Sequence, residues 1–145
     1  MNIDEKTLAR LKAAARDAAD RSYSPYSRFP VGAALLAEDG TVHQGCNVEN
    51  ASFGLTQCAE RSALAAAVAN GVPPGTPLVM VVYAPGRSAH PPCGACRQVL
   101  KELMSREARV ISVCDGEEVS DWSADELLPD AFTPASILGS RKEET

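Results

Sequence analysis

The order of segments predicts an α/β fold in which one mixed, five-stranded sheet is covered by helices on both faces. Three observations predict it. Residues 78–83 and 109–114 are apolar and largely β-branched runs, as strands buried on both faces require. Residues 31–37 and 41–48 are strand-like runs around Glu38-Asp39-Gly40, a turn signal, and so form a hairpin. Segments of helical periodicity or composition alternate with these strands, which is the pattern of a sheet flanked by helices.

Taken in order, residues 4–20 place Leu8, Leu11, Ala15 and Ala18-Ala19 near helical spacing among charged neighbours, so the chain opens on an amphipathic helix. Ser22-Tyr23-Ser24-Pro25-Tyr26-Ser27 ends it, and the hairpin follows. Residues 58–70 are rich in alanine and leucine and stop at Asn70-Gly71, a second helix. The Pro73-Pro74-Gly75 loop leads to the strand at 78–83, and the loop at 85–92 leads to a third helix at 96–106. After the strand at 109–114, residues 118–122 are a weaker edge strand and 125–128 a short helical turn. Residues 133–145 read as a peripheral or mobile tail. With 145 residues and no repeat, linker or low-complexity tract, the expectation is a single domain over 1–145.

Composition narrows the function. At 45% apolar and 23% charged, the chain has the make-up of a soluble globular protein. No apolar run nears the ~20 residues that span a bilayer, and the polar, acidic start lacks the features of a secretory signal. The expected location is the cytoplasm, with no membrane partner. A formal net charge of -5 without a Lys/Arg cluster argues against a nucleic acid polymer, whose phosphates need a basic surface. A small neutral molecule fits better.

Five cysteines in a cytosolic chain point to metal or catalysis rather than disulfides. Cys58, Cys93 and Cys96 provide three soft ligands of the kind zinc takes. Neither Cys46 nor Cys114 is well placed to be a fourth, and nothing in the spacing of His43 or His90 favours them. Three protein ligands and one open position describe a catalytic zinc, with water in the gap. Three thiolates outweigh the charge of one Zn²⁺, so helix N-termini aimed at the sulfurs, and a donor such as Arg61, would offset the excess. Glu60 lies two residues after Cys58, and positions two apart on a regular helix do not share a face. Cys58 must therefore stand at the irregular start of its helix for Glu60 to approach the water and move its proton. Each residue has a plainer reading: Arg61 as an exposed helix arginine, Glu60 as a partner of the helix dipole.

The string CAE at 58–60 followed by PCGAC at 92–96 matches the deaminase signature, with Cys in the position where His also occurs. Alongside YSPYSRFPVGAALL at 23–36, GCNVENASFGLTQCAERSAL at 45–64, PCGACRQVL at 92–100 and ELLPDAF at 126–132, the chain resembles the small, homotetrameric cytidine deaminases. The resemblance implies a three-layer α/β/α sandwich and hydrolysis of cytidine or 2′-deoxycytidine, as free pyrimidine nucleosides, to uridine or 2′-deoxyuridine in pyrimidine salvage. It implies one zinc per chain on Cys58, Cys93 and Cys96, with Glu60 as proton shuttle. It also implies that Asn47 and Glu49 bind the sugar hydroxyls and Phe29 packs on the base. The main chain of Ala59 and Cys93 would meet the pyrimidine edge, and Phe132 would reach a neighbouring subunit's pocket. Phe53 stands where the family often has Tyr, which removes a hydroxyl from the site or interface. An amide and a carboxylate two apart on a strand do share a face; read without the resemblance, both are solvent-facing strand positions.

Three competitors remain at this point. Deaminases of cytosine-bearing antibiotics share the chemistry and differ in substrate. A thiol redox protein would use Cys93-Gly94-Ala95-Cys96 and leave Cys58 and Glu60 idle. A structural zinc module requires a closed, four-ligand site.

Overall fold

The computed structural model describes residues 2–139; residues 140–145, the end of the predicted tail, lie outside the described residues. The chain opens with α1 (Glu5–Ala19), started by Asp4, whose carboxylate accepts the Thr7 N–H at 2.7 Å. The hairpin β1 (Gly32–Leu36) and β2 (Val42–Cys46) follows, then a short 3₁₀ turn at Phe53–Leu55 that the sequence did not signal. Next come α2 (Ala59–Ala69), β3 (Val79–Tyr83), α3 (Gly94–Leu103), β4 (Arg109–Val113), β5 (Val119–Ser123), α4 (Ala124–Leu127) and α5 (Pro134–Leu138).

The five strands form one sheet in the order β2-β1-β3-β4-β5. The β3–β4 pair is parallel and the other three are antiparallel, so the sheet is mixed. Alternation along the strands divides the core into two layers. Ala34, Val79, Val81, Tyr83, Ile111 and Val113 pack on Leu11, Ala15 and Ala19 of α1. Ala33, Leu35, Met80, Val82 and Val110 face the other way, onto Ala59, Ala63, Leu64 and Ala67 of α2 and Leu100 of α3. Side chains of opposite parity are thus buried on opposite faces, and this is why the central strands read as unbroken apolar runs. The predicted three-layer α/β/α sandwich is the observed one. Among the described residues, no helix is long and apolar enough to cross a membrane.

Two glycines set how closely the layers approach. A Cβ on Gly32 would lie 1.8 Å from the Ala15 carbonyl oxygen, and one on Gly45 would lie 2.3 Å from the Ala63 nitrogen. The backbones of α1 and α2 therefore rest almost directly on the hairpin.

Boundaries differ from expectation in three informative places. The second hairpin strand stops at Cys46 rather than 48, so Asn47 and Glu49 lie beyond the strand whose face they were expected to share. The third helix begins at Gly94, capped by Cys93, and ends at Leu103 rather than 106. Met104 turns extended because Leu103 O accepts from Gly75 N at 2.8 Å and Ser105 N donates to Pro77 O at 2.9 Å, tying the chain to the entrance of β3. Within the predicted tail, Pro134 starts α5, preceded by Thr133, whose N–H donates to the Ser136 hydroxyl at 3.2 Å.

Candidate active site

The two helices on the α2/α3 face bring their N-termini together beside the carboxyl ends of β3 and β4. A cleft in that position is where open α/β sheets place ligands. Cys58 is the residue just before α2, with φ -75° and ψ 155°, and Cys93 holds the same place before α3, with φ -66° and ψ 163°. Both have extended backbones that turn their side chains off the helical path, the irregular start the sequence requires for Cys58. Cys96 lies in the first turn of α3 and is buried.

The three Sγ atoms lie within 4.8 Å of one another, and those of Cys58 and Cys93 are 3.8 Å apart. That separation is far beyond a disulfide bond, about 2.05 Å. It matches the edge, about 3.8 Å, of a tetrahedron with metal–sulfur bonds of about 2.3 Å. Neither Cys58 nor Cys93 caps its helix through its side chain, so both sulfurs are free to ligate. Three thiols at two helix N-termini are a donor set that suits zinc. No fourth Cys, His, Asp or Glu joins the cluster among the described residues. His43 is bonded to Thr41 at the hairpin, and His90 sets its ring edge-on to Phe29 with centroids 6.0 Å apart.

Arg61 sits beside this group. One guanidinium nitrogen is 3.4 Å from Cys58 Sγ and 3.5 Å from the Thr56 carbonyl oxygen, while its buried Nε has no partner among the described residues. Hydrogen bonding with Cys96, and then with Arg61, pulls the Cys58 thiol down to about 5 against the opposing effect of burial. The Cys96 thiol is pushed up, first by that same bond to Cys58 and then by burial. The cluster thus favours at least one thiolate at neutral pH before any metal enters.

Glu60, in the first turn of α2, is 6% exposed, and its Oε2 is 3.6 Å from Cys96 Sγ. Burial pushes its carboxyl up from the ordinary range, and the nearby Cys58 thiolate adds to the effect. A carboxyl group poised to hold a proton is what a proton carrier needs. It opens on a cavity of about 190 Å³ lined also by Phe29, Asn47, Cys58, Ala59, His90 and Cys93. A larger cavity, about 610 Å³, lies between α3, α4 and α5, and none of the three cysteines borders it.

The remaining predicted residues fall into three places. Phe29, Asn47 and Ala59 line the cysteine cavity. Glu49 and Phe53 line an adjoining depression with Tyr26 and Thr56, and Thr56 borders both. Glu49 Oε1 accepts the N–H groups of Tyr26 at 3.0 Å and Ser27 at 3.1 Å. Hydrogen bonding with the Ser27 side chain first, and these main-chain bonds after it, hold its carboxyl below the usual range. Phe132 does not line the cysteine cavity; it is 62% exposed beside α5, with its carbonyl accepting from Gln98 Nε2 at 2.7 Å.

Two residues of this region escaped the sequence. His90 was weighed only as a metal ligand, yet its ring borders the cavity. Ser22 donates its hydroxyl to Asn47 Oδ1 across 25 positions of chain, and nothing local signals it.

The family model described as the cytidine and deoxycytidylate deaminase zinc-binding region matches residues 5–113. The chain belongs to this deaminase family. The cytidine deaminase of Sporosarcina psychrophila is 43% identical over 130 residues, 90% of this chain and 94% of that one. That of Halalkalibacterium halodurans is 44% identical over 131 residues, 90% and 96% of the respective chains. Among solved structures, the cytidine deaminase of Burkholderia pseudomallei superposes with a TM-score of 0.83 at 48% identity, covering 86% of this chain and 98% of its own. The Mycobacterium tuberculosis enzyme gives 0.72 at 39% identity, covering 90% and 98%. As a member of the deaminase family with three clustered thiols, the chain fits one zinc.

Proposed function

We propose that this protein hydrolyses the 4-amino group of cytidine and 2′-deoxycytidine, releasing ammonia and the corresponding uridine nucleoside. The observation that carries the reading is Glu60: a buried carboxyl beside three converging thiols, at the head of a cavity. Cys58, Cys93 and Cys96 hold the zinc. Bound there, the metal supplies Lewis acidity that makes water a nucleophile near neutral pH. Every other part of the chemistry falls to the chain.

Glu60 takes the proton from the water, gives one to N3 of the cytosine, and carries the last to the departing ammonia. Its burial raises its proton affinity, which suits a group that must both accept and return a proton. The Arg61 guanidinium lies against Cys58 Sγ and offsets the negative charge of the sulfurs. Phe29 packs against the base, and the main chain of Ala59 and Cys93 meets the pyrimidine edge. Asn47 and Glu49 read the sugar, where the carboxylate also repels a phosphate, so free nucleosides are preferred to nucleotides.

The working form is a homotetramer in the cytoplasm, in which Phe53 lies at the site or interface and Phe132 reaches a neighbouring copy's pocket. The role is pyrimidine salvage. With a net charge of -5 and no basic cluster in the sequence, nucleic acid polymers are not substrates.

The test is an ultraviolet assay of purified protein on cytidine, 2′-deoxycytidine and blasticidin S, with zinc measured in the same sample and mass determined by light scattering. One zinc per chain and conversion of the two nucleosides in preference to the antibiotic are expected. A zinc-loaded protein that leaves both nucleosides unchanged would refute the reading.

A further inference from the structure

Asn47 follows β2 and is 9% exposed, yet nearly all of its hydrogen-bonding capacity is directed at its own chain. Its Nδ2 donates to the Phe29 carbonyl oxygen at 2.8 Å. Its Oδ1 accepts the Val31 N–H at 2.9 Å and the Ser22 hydroxyl. Its main-chain N–H donates to the Val31 carbonyl oxygen at 3.2 Å. An amide oxygen has two lone pairs and an amide nitrogen two hydrogens. The oxygen is therefore saturated, and a ligand can meet one N–H at most. Toward a sugar hydroxyl, Asn47 can therefore donate but not accept.

The groups it does bind lie on either side of Pro30. Proline has no N–H and a fixed φ, so the Phe29 carbonyl and the Val31 N–H are the handles by which this piece of main chain can be held. Arg28, immediately before, has φ 54°, a left-handed conformation that a non-glycine residue keeps only when its surroundings impose it. Phe29 borders the cavity at the end of this constrained stretch.

We propose that Asn47 is a positioning residue for Phe29. By gripping the main chain on both sides of Pro30, with Ser22 completing the grip, it sets the aromatic ring against the substrate base, apart from any contact of its own with sugar. The inference rests on the reading of Phe29 as a base contact given above.

The test uses 2′,3′-dideoxycytidine, which has a base but neither secondary hydroxyl, alongside cytidine. Steady-state constants are measured for the zinc-loaded parent, Asn47→Ala, Phe29→Ala and the double variant. Losing bonds at both handles is expected to lower kcat/KM on dideoxycytidine by about tenfold, mostly through KM. Phe29→Ala alone should do as much, and the double variant should be no worse than Phe29→Ala, because the two side chains serve one contact. If the Asn47→Ala penalty vanishes on dideoxycytidine, Asn47 serves only the sugar and the proposal is overturned. It is overturned too if the two penalties multiply, or if Phe29→Ala costs nothing. Asn47→Asp keeps the acceptor for Val31 but turns a carboxylate oxygen toward the Phe29 carbonyl. It should match Asn47→Ala, and it decides the question if the alanine variant does not fold. A parent that treats cytidine and dideoxycytidine alike would instead remove the sugar reading of Asn47 and Glu49, and leave the Phe29 comparison to stand or fall by itself.

Discussion

Replacing Gly45 with alanine tests whether the close approach of α2 to the hairpin is what brings the three sulfurs together. The new Cβ would lie 2.3 Å from Ala63 N, 2.5 Å from Ala59 O and 2.8 Å from Ala63 Cα, all main-chain atoms that cannot rotate away. Ordinary contact begins at 3.4 Å, so strand and helix must part by about 1 Å. Overpacking a core costs about 1–3 kcal/mol, and the upper end applies where backbone meets backbone. Alanine recovers about 0.4–1 kcal/mol by restricting the unfolded chain. The net loss is then roughly 2 kcal/mol, a melting point lower by roughly 7 °C for a chain of this size. The site suffers too, since Cys58, Glu60 and Arg61 ride on the displaced end of α2 while Cys93 and Cys96 ride on α3. Metal–ligand distances tolerate only about 0.2 Å of error, so zinc affinity should fall along with stability. Differential scanning calorimetry, with and without zinc, reads the first quantity and competition with a chelator reads the second. A Gly45→Ala protein that melts within about 3 °C of the parent and holds zinc as tightly would refute this account of how the site is assembled.

Glu60→Gln should keep one zinc per chain while kcat drops by about a thousandfold or more; retained turnover in the zinc-loaded variant would exclude the proton-carrier role. Cys93→Ala should lose zinc on dialysis and melt below the parent, because metal binding contributes folding free energy. Arg61→Gln removes the donor to Cys58 Sγ, and chelator competition should show zinc held about ten- to a hundredfold more weakly. Asp115 accepts from Gly86 N at 2.9 Å and from the Tyr83 hydroxyl at 2.7 Å, and the Gly86 bond is the main reason its carboxyl titrates below the ordinary range. A lowered folded value stabilises above the unfolded value and is lost as pH falls through the folded one. Asp115→Asn should therefore flatten the acid limb of the melting-temperature profile below about pH 5, with little change in zinc content.

What the sequence disclosed, and what it did not, follows from the range of the interactions concerned. The cluster of three thiols was legible because its signature is local: a cysteine at a helix start, a glutamate two residues on, and a Cys-x-x-Cys turn at a second helix start. Periodicity exposed α1, and apolar runs exposed β3 and β4, because burial recurs along one face of that helix and on nearly every residue of those strands. The bonds that tie Asn47 to Ser22, Phe29 and Val31 span 25, 18 and 16 positions, and no composition signal marks which asparagine will be occupied by its own chain. Gly32 and Gly45 likewise looked like ordinary strand residues until the helices that rest on them were in view. The same distinction bears on how substitutions would act. Under the proposed function, changes at Cys58, Glu60, Cys93 or Cys96 alter the reacting centre itself. Changes at Gly45, Ser22 or Asn47 act through placement, so their effects should appear in zinc affinity or KM before kcat. Asn47 steadies a loop and keeps one N–H free of its own chain, so under the proposed function it belongs to both groups, and only a substrate without hydroxyls separates the two contributions.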